Sequence, residues 1–184
     1  MYVFRISGAI AAICFLLILF IFRHKLDSFL KDKSVIANVD SRSYSLSKTL
    51  MFYWTVIVFL SICYIAIVSD NLPEIDRGVL ILLGIVAGTT TAGAVIDTDQ
   101  SNTPGIVRTQ DVDPSVGFLT DILSDKQGIS VSRFQTVIFN LIYGFGFIGI
   151  VISQQVLFDF PANTLMLLGI SSGAYALLKI PENK

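Results

Sequence analysis

The sequence predicts an all-α integral membrane protein with five transmembrane helices: one leading helix, then two parallel two-helix repeats offset by 85 residues. Three observations predict it. The 184 residues are 53% hydrophobic and only 15% charged, with a mean hydropathy of +0.72. A soluble domain carries about 25% charged residues, so this composition excludes a water-soluble enzyme and a disordered chain alike. Five stretches come close to the roughly 20 apolar residues that cross a bilayer. Two segments also match one another without a gap when the chain is shifted by 85 positions.

The leading span, Ile6–Phe22, is uncharged and is followed by Arg23, His24 and Lys25. A cleaved signal peptide places its charge before the apolar run and a small-residue cleavage site after it. The order here predicts a retained span with its N-terminus outside. Thr49–Ser69 is uncharged, with Tyr53 and Trp54 near one end. Val79–Ile96 is short and rich in glycine and alanine. Phe134–Ser153 carries Gln135 and Asn140 but no charge, and Thr164–Leu178 is the shortest, ending at Lys179. These limits divide the chain into 1–44 (leading helix and basic extension), 45–98 (first repeat), 99–129 (acidic loop) and 130–184 (second repeat).

Excess lysine and arginine marks the cytoplasmic side. With the N-terminus outside, the inner segments hold Arg23, Lys25, Lys31, Lys33, Arg42, Lys48, Arg108, Lys126, Arg133, Lys179 and Lys184, and only Arg5 and Arg77 stay outside. The expected arrangement is therefore a multi-pass membrane protein with its N-terminus outside and its C-terminus in the cytoplasm.

The repeat is clearest where Leu80–Gly88 falls on Leu165–Gly173, with six of nine positions identical, and where Ser45-Leu46-Ser47-Lys48 falls on Ser130-Val131-Ser132-Arg133. Each unit holds two spans, so both enter the membrane in the same sense, and a pseudo-two-fold axis along the membrane normal is the expected relation. Gly84 and Gly88, with Gly169 and Gly173, form small-xxx-small faces. Lipid supplies no hydrophobic drive between helices, so such faces predict close packing, within one chain or between chains. The serines predict N-caps. Lys48 and Arg133 follow them in a first turn, where a cation opposes the helix dipole. Lipid phosphate is one explanation. The other is an anionic ligand, of nucleotide type, held by Lys48 and Arg133 with Lys31 and Lys33 nearby.

Residues 23–48 carry six basic and three acidic side chains, and 97–133 carry three basic and six acidic ones, so the two segments are expected to face each other. Leu26, Phe29 and Leu30 predict an amphipathic continuation of the first span, with Asp27 and Lys31 paired one turn apart. Ser115–Ser124 predicts a second short amphipathic helix, with Val116, Leu119, Ile122 and Leu123 on one side. Asp97-x-Asp99 opens like a calcium loop, but Asn102 and Arg108 occupy positions that need glycine and glutamate. His24 stands without a cysteine–histidine cluster, and no nucleophile elbow or phosphate loop is present. No enzyme activity, metal or cofactor is expected, and no binding to duplex nucleic acid follows from a net charge of −1.

The blocks Gly84–Gly88, Gly117–Asp125, Ser130–Gln135 and Gly169–Gly173 together resemble a group of small uncharacterised bacterial inner-membrane proteins over residues 45–182, and that resemblance implies a bacterial source. At the level of class and size, a multi-span chain with no enzymatic domain also resembles the membrane effectors of antiphage defence, which assemble in the bilayer and permeabilise it.

The leading functional expectation is a homo-oligomeric channel or pore, set in membrane lipid and gated from the cytosol. No Asp, Glu, Lys or Arg lies inside the spans, which argues against a proton relay or voltage sensor. The polar groups left to line a path are Asn140, Gln135, Thr89, Thr90, Thr91, Ser171 and Ser172. The rival expectation is a non-conducting scaffold that anchors a cytosolic protein.

Overall fold

A computed structural model of the chain describes residues 2–125 and 127–182. Of the residues singled out above, Lys126 and Lys184 lie outside that range, as do the side chains of His24 and Asp27. Five helices are long and apolar enough to cross a membrane: α1 (Val3–Ile21), α3 (Leu46–Ser69), α4 (Arg77–Asn102), α7 (Val131–Gln154) and α8 (Ala162–Glu182). A short helix, α2 (Arg23–Leu30), follows α1 after Phe22, as the spacing of Leu26, Phe29 and Leu30 predicts. Between α4 and α7 lie one turn of helix, α5 (Thr109–Val112), the short α6 (Phe118–Leu123), and a two-residue hairpin of β1 (Ser124–Asp125) and β2 (Gly128–Ile129).

The repeat is exact in backbone terms. Shifting α3 by 85 residues gives the limits of α7, and the same shift takes the first residue of α4 onto the first of α8. Both first helices end on a left-handed residue, Asp70 (φ 52°) and its counterpart Gln155 (φ 57°), and these are the only non-glycine residues with positive φ among those described. Serine begins both helices, but not as the expected side-chain cap. The Ser45 hydroxyl lies 3.3 Å from that of Ser47, and Ser130 lies 3.2 Å from Ser132. Each serine thus spends its side chain on the serine two residues further on.

Within each hairpin the same two carbonyls meet a threonine hydroxyl. Thr90 lies 3.1 Å from Ser47 O and 2.9 Å from Val86 O. In the second hairpin Thr136 lies 2.8 Å from Ser132 O and 3.0 Å from Ser171 O, the counterparts of that pair. The threonine comes from α4 in one case and α7 in the other. A hydroxyl with two nearby acceptors holds two helix backbones together where lipid offers no competing donor.

The two hairpins pack side by side, with α3 against α7 and α4 against α8. Their contacts are not reciprocal, which corrects the expected two-fold axis. Asn140 of α7 is buried against Trp54 of α3, whereas its counterpart Thr55 is exposed. An added Cβ at Gly169 of α8 would lie 3.6 Å from Ile85 of α4, whereas one at Gly84 would meet nothing within 4 Å. A two-fold would make each contact twice, so the hairpins follow one another in the same sense, as a head-to-tail pair.

Helix α1 packs chiefly on α3, through Phe15 on Phe59 (ring centroids 4.6 Å apart) and Gly8 against Ala66. Its end is tied down by the Arg5 N–H, which donates to Asp70 Oδ1 at 2.9 Å. The core between the hairpins is aromatic: Trp54 meets Phe147 and Phe160 edge-on, and those two rings stack at 5.6 Å.

Candidate functional site

One end of the bundle carries the N-termini of α3 and α7, the C-termini of α4 and α8, and both long loop segments; it is called the loop end here. Sequence spacing placed Asp97 in a loop after a span ending at Ile96. Instead α4 continues to Asn102, and Asp97 lies on its buried face. One helical turn away in repeat register, Lys179 of α8 turns inward rather than snorkelling to lipid, with 4% of its side chain exposed. Its Nζ donates to Asp97 Oδ2 at 2.8 Å and lies 3.7 Å from Asp32. Buried charges persist only where paired and hydrogen-bonded. Asp97 meets that condition: its Oδ1 accepts from Gln110 Nε2 at 2.8 Å, and its carbonyl accepts from Arg108 Nη1 at 3.0 Å. Gln100, a turn further along α4, donates to the Lys179 and Ile180 carbonyls and so satisfies the end of α8.

This cluster draws on four parts of the chain: Asp32 after α2, Asp97 and Gln100 in α4, Arg108 and Gln110 around α5, and Lys179 in α8. The two loop segments meet as their opposite charges predict, yet backbone N–H groups do the joining. Asp111 accepts from Val35 N–H at 3.0 Å, Asp121 accepts from Tyr44 N–H at 3.1 Å, and Ser115 N–H donates to Ser41 O at 2.8 Å. Arg108 holds Asp111 with two hydrogen bonds, at 2.6 and 2.8 Å. Burial raises the Asp111 pKa, but the Arg108 and Val35 hydrogen bonds outweigh it and hold the carboxyl below the usual aspartate range.

A cavity of about 360 Å³ opens beneath this cap, and its lining includes Tyr44, Gln110, Asp113, Asp121, Asp125 and Arg133. Asp32 and Lys179 also reach it. Four carboxylates therefore face two cations, of which Lys179 is already paired and Arg133 lies over the Tyr175 ring at 5.2 Å.

The four anion-binding candidates are not brought to one place. Arg133 borders this cavity, whereas Lys48 and Lys33 border a separate void of about 30 Å³. Lys31 touches neither: its Nζ donates to the Asp40 carbonyl and sits over Tyr44. Lys48 Nζ donates to the Lys31 carbonyl, which accounts for a cation in that first turn without a ligand.

The path-lining candidates divide in the same way. Asn140 is 2% exposed and fully engaged, accepting from Trp54 Nε1 at 2.7 Å and donating to the Thr136 carbonyl at 2.7 Å. Ser171 and Ser172 are buried, and Thr90 is half-buried in its carbonyl contact. Thr89 bonds its own helix, as does the exposed Thr91, and Gln135 faces outward. None of them borders the cavity beneath the cap.

The glycines also sort differently from expectation. Gly84, Gly88 and Gly173 face open space, and Gly169 alone of the four touches another helix. The close approaches occur at Gly8, Gly78 and Gly144. Gly78 N–H donates to Asp159 Oδ1 at 2.9 Å, so the loop of the second repeat caps the first turn of α4. The short amphipathic helix turns only Ile122 and Leu123 into the core, while Val116 and Leu119 stay exposed.

The arrangement defines a multi-span α-helical membrane protein, built from two tandem hairpins with a leading helix and a folded cap at one end. Among the described residues no group of His, Cys, Asp or Glu is placed to hold a metal ion. Compared with protein families, curated proteins and solved structures, the chain matches none.

Gln100 and Gln110 carry no sequence signal, and the spacing that rejects a calcium loop at Asp97 and Arg108 does not reveal their partnership with Lys179. A signal for the pair existed. Shifted by 85, Lys179 falls on Ala94, one turn from Asp97, so the two opposite charges sit at similar depth on the paired second helices.

Proposed function

We propose that the protein is a homo-oligomeric channel or pore of the bacterial inner membrane, with its loop end in the cytosol and its gate at that end. The observation that carries this reading is the Asp97–Lys179 pair. It joins the second helices of the two repeats, and its other partners come from both loop segments. A ligand or protein that pulls on either segment therefore acts directly on the spacing of α4 and α8. Trp54, Asn140, Thr136 and Phe147 fill the interior of the single chain, so any conduit needs several copies. The far end carries Asp70, Glu74, Asp76 and Asp159 against Arg5 and Arg77, and such a rim repeated by symmetry favours cations. The carboxylate-rich lining of the cap cavity disfavours a nucleotide as the trigger. A role as an antiphage effector follows only from the class resemblance and belongs to the same proposal.

A specific observation favours a second reading, that of a non-conducting membrane scaffold. The loop segments fold into one cap, with Val107, Val112 and Val116 exposed on it, a surface suited to a cytosolic protein. Ion flux from liposomes containing the purified chain separates the two. The channel reading expects cation flux that rises when Asp97→Asn or Lys179→Met loosens the cap. No flux from the native chain or from either variant, with folded protein in the bilayer, leaves the scaffold.

A further inference from the structure

We propose that a second copy of this chain docks on the open face of α4 through the outward side of its α8, repeating between molecules the contact that α4 and α8 make within one. This names the partner face for the homo-oligomeric reading above and rests on it.

Within the chain the inter-repeat contact is one-way. Gly169 and Lys179 of α8 face Ile85 and Asp97 of α4, and Leu165, Ser172 and Ala176 continue their stripe at helical spacing; all but Gly169 are buried. Shifted by 85, that stripe becomes Leu80, Gly84, Ala87, Thr91 and Ala94 of α4, and every one of these is exposed. The shift in the other direction takes Ile85, which rests on Gly169, to Ile170, which is 70% exposed. Each half of an interface already made inside the molecule is therefore present a second time, without a partner.

The open face has the shape for it. A shallow groove of about 460 Å³, lined by Thr91, Ala94, Val95 and Thr98 with Asp99 and Asn102 at its loop end, runs along its loop-end half. Small residues permit close backbone approach between helices in lipid, whereas the outward side of α8 presents Met166, Ile170 and Leu177. Chains inserted the same way also bring these faces together without inversion, because the two hairpins already run in the same sense.

Helix α1 determines what such an array becomes. It occupies on α3 the slot that α3 itself occupies on α7: Phe59 and Ala66, which it covers, are the counterparts of Gly144 and Val151. Each copy then adds three helices to one row (α1, α3, α7) and two to the other (α4, α8). The array bends toward α4 and α8, and a head-to-tail contact that bends in one direction can close into a ring.

The test is disulfide cross-linking in native membranes, using the full chain with Cys14 and Cys63 replaced by alanine. Gly84→Cys and Ile170→Cys alter exposed positions that the fold of one chain does not use. Together they are expected to shift the monomer band to dimers and higher species on oxidation, and each alone to leave it in place. Cross-linking by either single variant alone would indicate a two-fold interface and overturn the proposal. No cross-linking by the pair, from protein that is oligomeric in nanodiscs, overturns this docking face and leaves the oligomeric reading standing. A monomer in nanodiscs overturns both.

Discussion

Asn140 and Trp54 show how one polar contact fixes the spacing of two helices in lipid. Each side chain would be costly at mid-depth alone, and each removes the other's cost. Replacing Asn140 with leucine strands the indole N–H and is expected to lower stability by about 1–2 kcal/mol, read as a lower unfolding temperature in detergent. Under the proposed channel reading ion selectivity should not change, because this side chain faces α3 rather than a path. The glycines give a second contrast. A Cβ at Gly78 would lie 2.6 Å from the Phe160 backbone nitrogen and also crowd Asp159, whereas one at Gly84 meets nothing. Gly78→Ala is expected to destabilise by about 1–3 kcal/mol, and Gly84→Ala to hold or raise the thermal stability of one chain, since alanine favours a helix interior. Sequence reasoning favoured Gly84 because it is repeated. Repetition marks a shared local backbone, while close approach depends on which face a neighbouring helix covers.

At the scale of elements, α4 and α8 are held at the loop end by a buried ion pair. Removing one partner leaves the other charge buried, so Asp97→Asn or Lys179→Met alone is expected to cost about 3 kcal/mol. The double variant should recover part of that loss, and a double-mutant cycle on unfolding temperature checks the coupling. The cap responds to acid through Asp111. Its folded pKa lies below the unfolded value of about 3.9, so its contribution is full above that value and is lost as pH falls through the folded pKa. Proteolysis of the 103–117 segment should therefore stay constant from neutral pH down to about 4 and accelerate below it. Asp111→Asn should remove the acid step by making the segment susceptible throughout. The helix limits were largely legible in the sequence, since apolar length and serine starts mark them. The continuation of α4 through Asp97 and Asp99 was not, because a charged residue ends a hydropathy window but not a helix whose buried face supplies it with partners.

At the scale of the whole molecule, the row of hairpins leaves one covered and one open copy of the same interface, and that asymmetry is the feature the proposed assembly uses. The expected outcome in liposomes is a cation flux that depends on oligomer formation, falling when the α4 face is blocked by Gly84→Trp while each chain remains folded. Native mass spectrometry in nanodiscs checks the subunit number alongside it. The sequence by itself determined the all-α class, the five spans and the 85-residue repeat, because hydropathy acts on each segment separately. Only the tertiary structure decided that the hairpins follow head to tail, that Gly84 is open while Gly78 is closed, and that Lys179 turns inward to Asp97. These depend on which face each helix turns to its neighbour. In lipid that choice is made by backbone approach and polar pairing between distant segments, and neither leaves a mark in the local composition of either one.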